Sequence, residues 1–220
     1  MGGFKNEASN LLFKRGFAYA QIIPHLIECC KLMKAESIAE NNPLKNHEDR
    51  ISDRLVANYL NAMPNAPFRF RGQSQVNFDK ETDSFVGRID FEVITSDIFR
   101  NDEVYHVIEC KRIDGSYKYN KKYVVEGVER FFSVPMPKYP SYNGRSTMIG
   151  YVVKDIDIPA NATKIDVLQQ QLLPLVFVGN FKQTQTDNSQ YCVYACEYKS
   201  DHTGLIELTH LFFNFADAIG

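Results

Sequence analysis

Apolar residues recur at roughly helical spacing through the first forty positions: Leu11, Leu12, Phe13, Phe17, Ile22, Ile23, Leu26, Ile27 and Leu32. A stripe of that period predicts helix. Pro24 lacks an N–H and crowds the preceding turn, so the stretch is expected to break or kink there, and two helices suit it as well as one. Asn41-Asn42-Pro43 ends it. A second helix is expected from about His47 to Ala62, with Ile51, Leu55, Val56, Tyr59 and Leu60 as its apolar face. Asn46 is the expected N-cap, and Glu48 and Asp49 fall in the first turn, where carboxylates suit the unpaired amides. Pro64-Asn65-Ala66-Pro67 stops this helix.

The period then changes to two. Phe68–Phe78 alternates in part and Asp79–Asp83 is a polar turn. Phe85–Thr95 alternates clearly, with Ile89, Phe91 and Val93 expected on one face and Arg88, Asp90 and Glu92 on the other. Residues 99–103 turn the chain again. Tyr105–Arg112 is a third strand, carrying Glu109 and Lys111 on one face and Ile108 and Cys110 on the opposite one. A helix from about Tyr117 to Phe132 would stack Tyr123, Gly127 and Arg130 along one side. A loop rich in Pro and Tyr (Pro135–Gly144) leads to a buried-looking strand, Met148–Val153. A helix between Ala160 and Leu173, a strand from Gln190 to Tyr198, and a closing strand or helix from Leu205 to Phe215 complete the chain. The order αα-βββ-α-β-α-β is that of an α/β domain, a mixed sheet flanked by helices.

The length of 220 residues suits one domain, residues 44–220, with a helical N-terminal extension over residues 1–43. Hydrophobic content of 44% and charged content of 24% are ordinary for a globular chain and exclude a disordered one. Five cysteines (Cys29, Cys30, Cys110, Cys192 and Cys196) show no framework spacing and read as reduced thiols. No apolar run approaches a membrane span, and the start lacks a signal-peptide layout, so a cytoplasmic protein without a membrane partner is expected. A net charge of −2 counts against indiscriminate coating of nucleic acid. Lys111, Arg112, Lys118, Lys121, Lys122, Arg130, Lys138 and Arg145 nevertheless cluster just after the acidic positions, which leaves room for a local basic groove.

The chemistry lies in two strand patterns, Gly87-Arg88-Ile89-Asp90 and Val107-Ile108-Glu109-Cys110-Lys111. If the two strands pair as a hairpin, Asp90 and Glu109 lie side by side. Two carboxylates in a partly dry site repel each other, and a hard divalent cation relieves that repulsion. Mg²⁺ (or Mn²⁺) suits the position, because it takes oxygen ligands and keeps waters that can serve as nucleophile. Lys111, on the same face as Glu109, can orient that water or stabilise charge on a phosphate. The carbonyl of Cys110 is an expected further ligand. Glu48 shares a helical face with Ile51 and Leu55 and is preferred to Asp49 as the supporting acid. Tyr123 and Arg130, with Lys122 beside them, are the expected contacts to a phosphate backbone. Alternating charge on a solvated sheet face gives the same spacing, so the pattern alone is a weak signal. The apolar run Tyr105–Ile108 ahead of the charges strengthens it.

Together these residues resemble the PD-(D/E)xK nuclease superfamily, the restriction-endonuclease-like fold, over about Glu48–Val153. Tyr123-Val-Val-Glu126-Gly127-Val-Glu-Arg130-Phe131, followed by Met148-Ile149-Gly150-Tyr151-Val152, is similar to a group of prokaryotic members. The Ser-x-His and His-Leu patterns of that group are echoed by Ser200-Asp201-His202 and His210-Leu211-Phe212. The resemblance implies a restriction-endonuclease-like mixed central sheet and a Mg²⁺-dependent phosphodiesterase site. In it Asp90 and Glu109 would bind metal, Lys111 would assist catalysis and Glu48 would support the metal. Ile89 stands where the superfamily often has proline. DNA is the expected partner, and defence against foreign DNA is a common setting for such folds. A homodimer through the N-terminal helices would suit cleavage of two strands, and light scattering that finds a monomer at all concentrations would remove it.

Rival readings are weaker. Zinc binding by Cys192, Cys196, His202 and His210 fits no structural zinc spacing. Acyl transfer by Ser200 with His202 or His210 lacks a nucleophile elbow, and a turn-capping serine is expected instead. Whether His202 and His210 meet phosphate or support the fold stays open. The alternative from another class is a non-catalytic nucleic-acid-binding or regulatory module retaining the nuclease fold. Acids kept at positions 90 and 109 count against it, since they repel phosphate unless a metal intervenes.

Overall fold

The chain opens with a single helix, α1 (Gly3–Ala39), that runs through Pro24 without a break. A computed structural model describes residues 3–62, 66–79, 83–95, 105–134, 137–141, 144–187 and 189–220. The expected break at Pro24 is absent because packing holds the helix around it. Ile22, Leu26, Ile27, Cys30 and Met33 are buried in one apolar cluster with the sheet, and His25 Nε2 donates to the Leu60 carbonyl at 2.9 Å. Such burial offsets the hydrogen bond that proline forfeits. Past the last turn, Asn41 takes a left-handed φ of 50°, so the chain leaves the helix where Asn41-Asn42-Pro43 predicts.

The second helix, α2 (Glu48–Leu55), continues as one π turn over Val56–Leu60. Its N-cap is His47, which makes no side-chain cap bond, rather than Asn46. The Asn46 carbonyl and side-chain oxygen instead accept from the Arg112 guanidinium at 2.5 and 2.8 Å, which ties the helix start to the third strand. Pro64, Asn65, the middle of the expected polar turn at 79–83 and the expected turn at 99–103 lie outside the described residues.

The strands are β1 (Phe68–Asp79), β2 (Ser84–Thr95), β3 (His106–Ile113), β4 (Arg145–Val152), β5 (Phe177–Val178), β6 (Lys182–Asp187), β7 (Tyr191–Ser200) and β8 (Gly204–Asn214). They form one open sheet in the order β1-β2-β3-β4-β8-β7-β5, with β6 also paired to β7. The centre, β3-β4-β8, is parallel and the remaining pairs are antiparallel. Parallel strands covered on both faces read as continuous apolar runs, and β4 is buried from Ser146 through Val152. The closing element is therefore a strand, β8. Neither β5 nor β6 is legible from hydrophobic pattern: β6 reads Lys-Gln-Thr-Gln-Thr-Asp and is almost wholly exposed, a polar edge with no apolar period to detect.

Two apolar layers sandwich the sheet. Ile149 and Tyr151 of β4 and Leu211 and Phe213 of β8 pack with α1 and α2. Met148 and Val152 of β4 and Phe212 of β8 pack with α3 (Tyr117–Val125) and α4 (Ile158–Leu172), the alternation that a pleated strand imposes. In β2 the alternation is not kept. Ile89 packs with the second layer, whereas Phe91 and Val93 pack with the first. The β1–β2 ladder pairs Gly72 with Phe91 and Ser74 with Ile89 but skips Gln73 and Asp90, and Gln73 adopts a φ of 51°.

The helix expected over residues 117–132 stops at Val125, and a single 3-10 turn, Val128–Phe131, follows. Gly127 stands between them, where a Cβ would lie 2.5 Å from both the Tyr123 carbonyl and Met148 Cε. Close approach of the backbone to β4 thus ends the helix, and Tyr123 and Arg130 do not share one helical face. A second glycine is equally confined. A Cβ on Gly150, in the middle of β4, would fall 2.4 Å from Phe212 Cδ1 and 3.2 Å from Ile113 Cγ1. Gly150→Ala is expected to cost about 1–3 kcal/mol by overpacking, read as a lower urea midpoint; an unchanged midpoint would contradict this packing. Among the described residues no helix is long and apolar enough to cross a membrane.

Candidate active site

The β2–β3 ladder pairs Phe91 with Ile108 and goes no further toward β2's start. Asp90 and Glu109 are the next two residues, so the strands part where the acids stand. In place of the missing rung, Asp90 Oδ2 accepts from the Cys110 backbone N–H at 2.7 Å. Asp90, Glu109 and Lys111 are only 7%, 2% and 8% exposed, far less than ordinary strand-face charges. Glu48 reaches the same point from the first turn of α2. Its Oε2 accepts from the Arg112 N–H at 3.0 Å, and the Ser52 hydroxyl meets the Tyr151 hydroxyl at 3.1 Å, which fastens α2 to β4.

Lys111 Nζ is the hub. It donates to Glu109 Oε1 at 2.6 Å, to Glu48 Oε1 at 3.0 Å and to the Cys110 carbonyl at 2.8 Å. Tyr139 closes the other side: its hydroxyl donates to Glu109 Oε1 at 2.9 Å and accepts from Arg130. Glu109 Oε2 is buried and has no hydrogen-bond partner among the described residues. The group opens into a cleft of about 460 Å³ whose lining includes Asp49, Arg88, Glu126 and Lys138. Among the described residues, five acidic side chains (Glu48, Asp49, Asp90, Glu109 and Glu126) and four basic ones (Arg88, Lys111, Arg130 and Lys138) line it. The lining thus has, among the described residues, no basic excess that would draw phosphate by itself.

Burial, reinforced by the neighbouring Asp90 charge, pushes the Glu109 carboxyl up to about 8. Burial likewise raises Asp90 to about 6, against the pull of Lys111 and the Cys110 N–H. For Lys111 burial disfavours the charged form, but Glu109, Glu48 and Asp90 outweigh it and hold the ammonium well above its ordinary range. Lys111 is a fixed cation here and not a base. The carboxyl shifts set a pH dependence. In the unfolded chain Glu109 ionises near its ordinary 4.5, whereas in the folded chain it resists until about 8. The folded state therefore binds more protons in between, and its stability falls as pH rises through that window. Thermal unfolding of metal-free wild type beside Glu109→Gln should show the variant gaining steadily from pH 5 to pH 8. A tenfold change in proton affinity is worth ~1.4 kcal/mol, so over these three pH units the gap should widen by about 4 kcal/mol. A gap constant with pH would contradict the assignment.

The donor set suits a hard cation. Glu48 Oε1, Glu109 Oε1 and the Cys110 carbonyl already converge on one positive charge, and the orphaned Glu109 Oε2 needs a proton or a cation beside it. Among the described residues, no three His, Cys, Asp or Glu side chains stand as a ready metal-binding group; the Lys111 ammonium lies between Glu48 and Glu109.

Of the expected substrate contacts, Arg130 lines the cleft and Lys122 lines an adjoining pocket of about 190 Å³ that shares Glu48, Asp49, Lys111 and Glu126 with it. Tyr123 does not reach either: it is fully buried and its hydroxyl is spent on His210 Nδ1 at 2.8 Å. His210 is an interior residue whose Nε2 meets the Tyr198 hydroxyl at 3.0 Å, and burial pushes it down to about 3. Its hydrogen bonds support the fold, and it lines neither of these two pockets. Ser200 Oγ accepts from the Thr203 N–H at 3.1 Å, the turn cap expected of it. Cys196 is buried with its thiol on the Gly179 carbonyl at 3.0 Å, and Cys192 meets Thr186 Oγ1 at 3.4 Å, so neither thiol stands in a zinc set. Tyr139 and Glu126 are the site residues that sequence reasoning missed. Tyr139 sits in a Pro- and Tyr-rich loop with no period, and only the count of aromatics there hinted at it. Comparison of the chain with protein-family models, with curated proteins and with solved structures finds no match.

Proposed function

We propose that this chain is a metal-dependent nuclease of restriction-endonuclease-like fold that hydrolyses phosphodiester bonds, with DNA as its substrate and defence against foreign DNA as its setting. One observation carries the reading: the buried Glu109, the half-buried Glu48 and a backbone carbonyl gather around a single buried cation at the point where two strands part. A solvated sheet face has no reason to bury three charges together, because each costs several kcal/mol in desolvation. The order of elements from Glu48 to β4, helix, antiparallel pair, acid-bearing strand, helix and parallel strand, agrees with the resemblance drawn from the sequence.

In this reading Asp90, Glu109, Glu48 and the Cys110 carbonyl would hold Mg²⁺ or Mn²⁺. The metal, when bound, supplies charge to a phosphate oxygen and lowers the pKa of a water. The rest is done by the chain. Arg88, Arg130 and Lys138 offset the acidic lining and meet the phosphates on either side of the scissile one. Lys111 contributes a fixed positive charge to the oxygen on which negative charge develops. Cys110 N–H and Arg112 N–H hold Asp90 and Glu48 in place, so little reorganisation is needed.

The test is calorimetric titration of Mg²⁺ and Mn²⁺ into wild type and Asp90→Ala, followed by incubation with linear and circular DNA and with RNA. Binding by wild type that is lost in the variant, with cleavage that needs the metal, supports the reading. Equal heats in both proteins, or none in either while both are folded, would sink it in favour of a binding module that retains the fold.

A further inference from the structure

We infer that Tyr139 is a positioning residue of this site: it holds the Glu109 carboxylate by Oε1, leaves Oε2 for a cation, and ties that carboxylate to Arg130 on the phosphate side of the cleft. The inference rests on the reading of the cleft as a metal-dependent nuclease site.

Tyr139 belongs to the loop between the 3-10 turn and β4, where side chains normally lie at the surface. It is instead completely buried, although Lys138 beside it is exposed. Both of its ends are fixed. Its N–H donates to the Arg130 carbonyl at 3.1 Å, and its ring packs edge-on against Phe131 with centroids 5.4 Å apart. The Arg130 guanidinium lies over the same ring, 5.5 Å from its centre.

Phenylalanine would fill this volume, so packing does not explain the hydroxyl. A buried tyrosine O–H must find a partner, and this one has two of opposite charge. The guanidinium donates to it and it donates to the carboxylate, an ordered chain in which each bond polarises the next. The consequence falls on Glu109. Oε1 takes two donors, Tyr139 at 2.9 Å and Lys111 at 2.6 Å, while Oε2 takes none among the described residues. Where a ligating group is oriented by a neighbour of this kind, removing the neighbour typically costs about 10–100-fold in metal affinity.

Titration of Mn²⁺ into the full chain by calorimetry, for wild type, Tyr139→Phe, Arg130→Met and Tyr198→Phe, separates this role from a general loss of stability. Tyr198 also carries a buried hydroxyl, bonded to Gln169 Oε1 at 2.7 Å and to His210, away from the cleft. Tyr139→Phe should bind Mn²⁺ about tenfold more weakly or worse, Arg130→Met should show a smaller loss in the same direction, and Tyr198→Phe should bind as wild type. The chain has no Trp, so near-ultraviolet difference spectra on adding Mn²⁺ report tyrosines, and the band seen in wild type should vanish in Tyr139→Phe. Equal affinity in wild type and Tyr139→Phe overturns the inference alone. An equal loss in Tyr139→Phe and Tyr198→Phe also overturns it, as a stability effect. Absence of Mn²⁺ binding in wild type removes the underlying reading and the inference with it.

Discussion

Asp90→Asn should abolish metal-dependent cleavage and at the same time make the metal-free protein more stable at neutral pH. Asparagine keeps the shape of the side chain and an oxygen for the Cys110 N–H, which Asp90 Oδ2 now accepts at 2.7 Å. What it removes is a charge. That charge is costly in the free protein, because burial has raised the Asp90 carboxyl to about 6, and removing it relieves Glu109 as well. It is needed once a cation is bound. A metal at a phosphoryl centre supplies several kcal/mol of charge stabilisation, and about 4 kcal/mol corresponds to roughly a thousandfold in rate. A drop of at least that size in cleavage, with a rise in melting temperature in the presence of chelator, is the expected pair of results. Opposite signs are the mark of a site that stores unfavourable charge for function. If cleavage persists within tenfold of wild type, Asp90 is not a metal ligand. If stability falls as well, Asp90 is a structural acid.

Much of this site was legible because β3 announces itself. The apolar run Tyr105–Ile108 reads as a central strand ahead of the charges, which singles out Glu109 and Lys111 at its end, and the β2–β3 ladder ends at Phe91, just before Asp90. Glu48 was legible from helical phase alone. What was hidden depends on contacts without a local period. Pro24 looked like a break because sequence shows the missing hydrogen bond and not the sheet packed around it. Gly127 looked like one more residue in a helical stripe because the close approach of Met148 is tertiary. That error placed Tyr123 in the cleft, where the folded chain has it buried beside His210. Tyr139 lies in an irregular loop, and no pattern of apolar and polar positions can say that its hydroxyl ends on Glu109. The polar strand β6 escaped for the same reason: its pairing to β7 is a backbone matter.

Lys111→Met should have the largest effect on stability of any single change at the site, and a divalent cation should reverse it. Methionine matches the length of lysine and keeps its packing but leaves Glu48, Glu109 and Asp90 without the ammonium that now lies 3.0 and 2.6 Å from the first two. Removing one partner from a buried charge group typically costs about 3–5 kcal/mol. The sign with pH follows from the carboxyls. Near pH 5 Asp90, raised to about 6, and Glu109, raised to about 8, are protonated in the folded chain, so the loss is small. Toward pH 8 the carboxyls are driven to ionise without a partner, and the loss is full. Adding Mn²⁺ at pH 8 should then raise the melting temperature of Lys111→Met more than that of wild type, because the ammonium charge that repels the metal is gone and bound ligand stabilises the folded state by mass action. Cleavage should stay low even when the metal is bound, since the fixed charge facing the phosphate is gone. A Lys111→Met protein as stable as wild type in chelator at pH 8 would mean that the three carboxylates do not depend on Lys111, and a smaller Mn²⁺ effect than in wild type would mean that the ammonium does not oppose the metal.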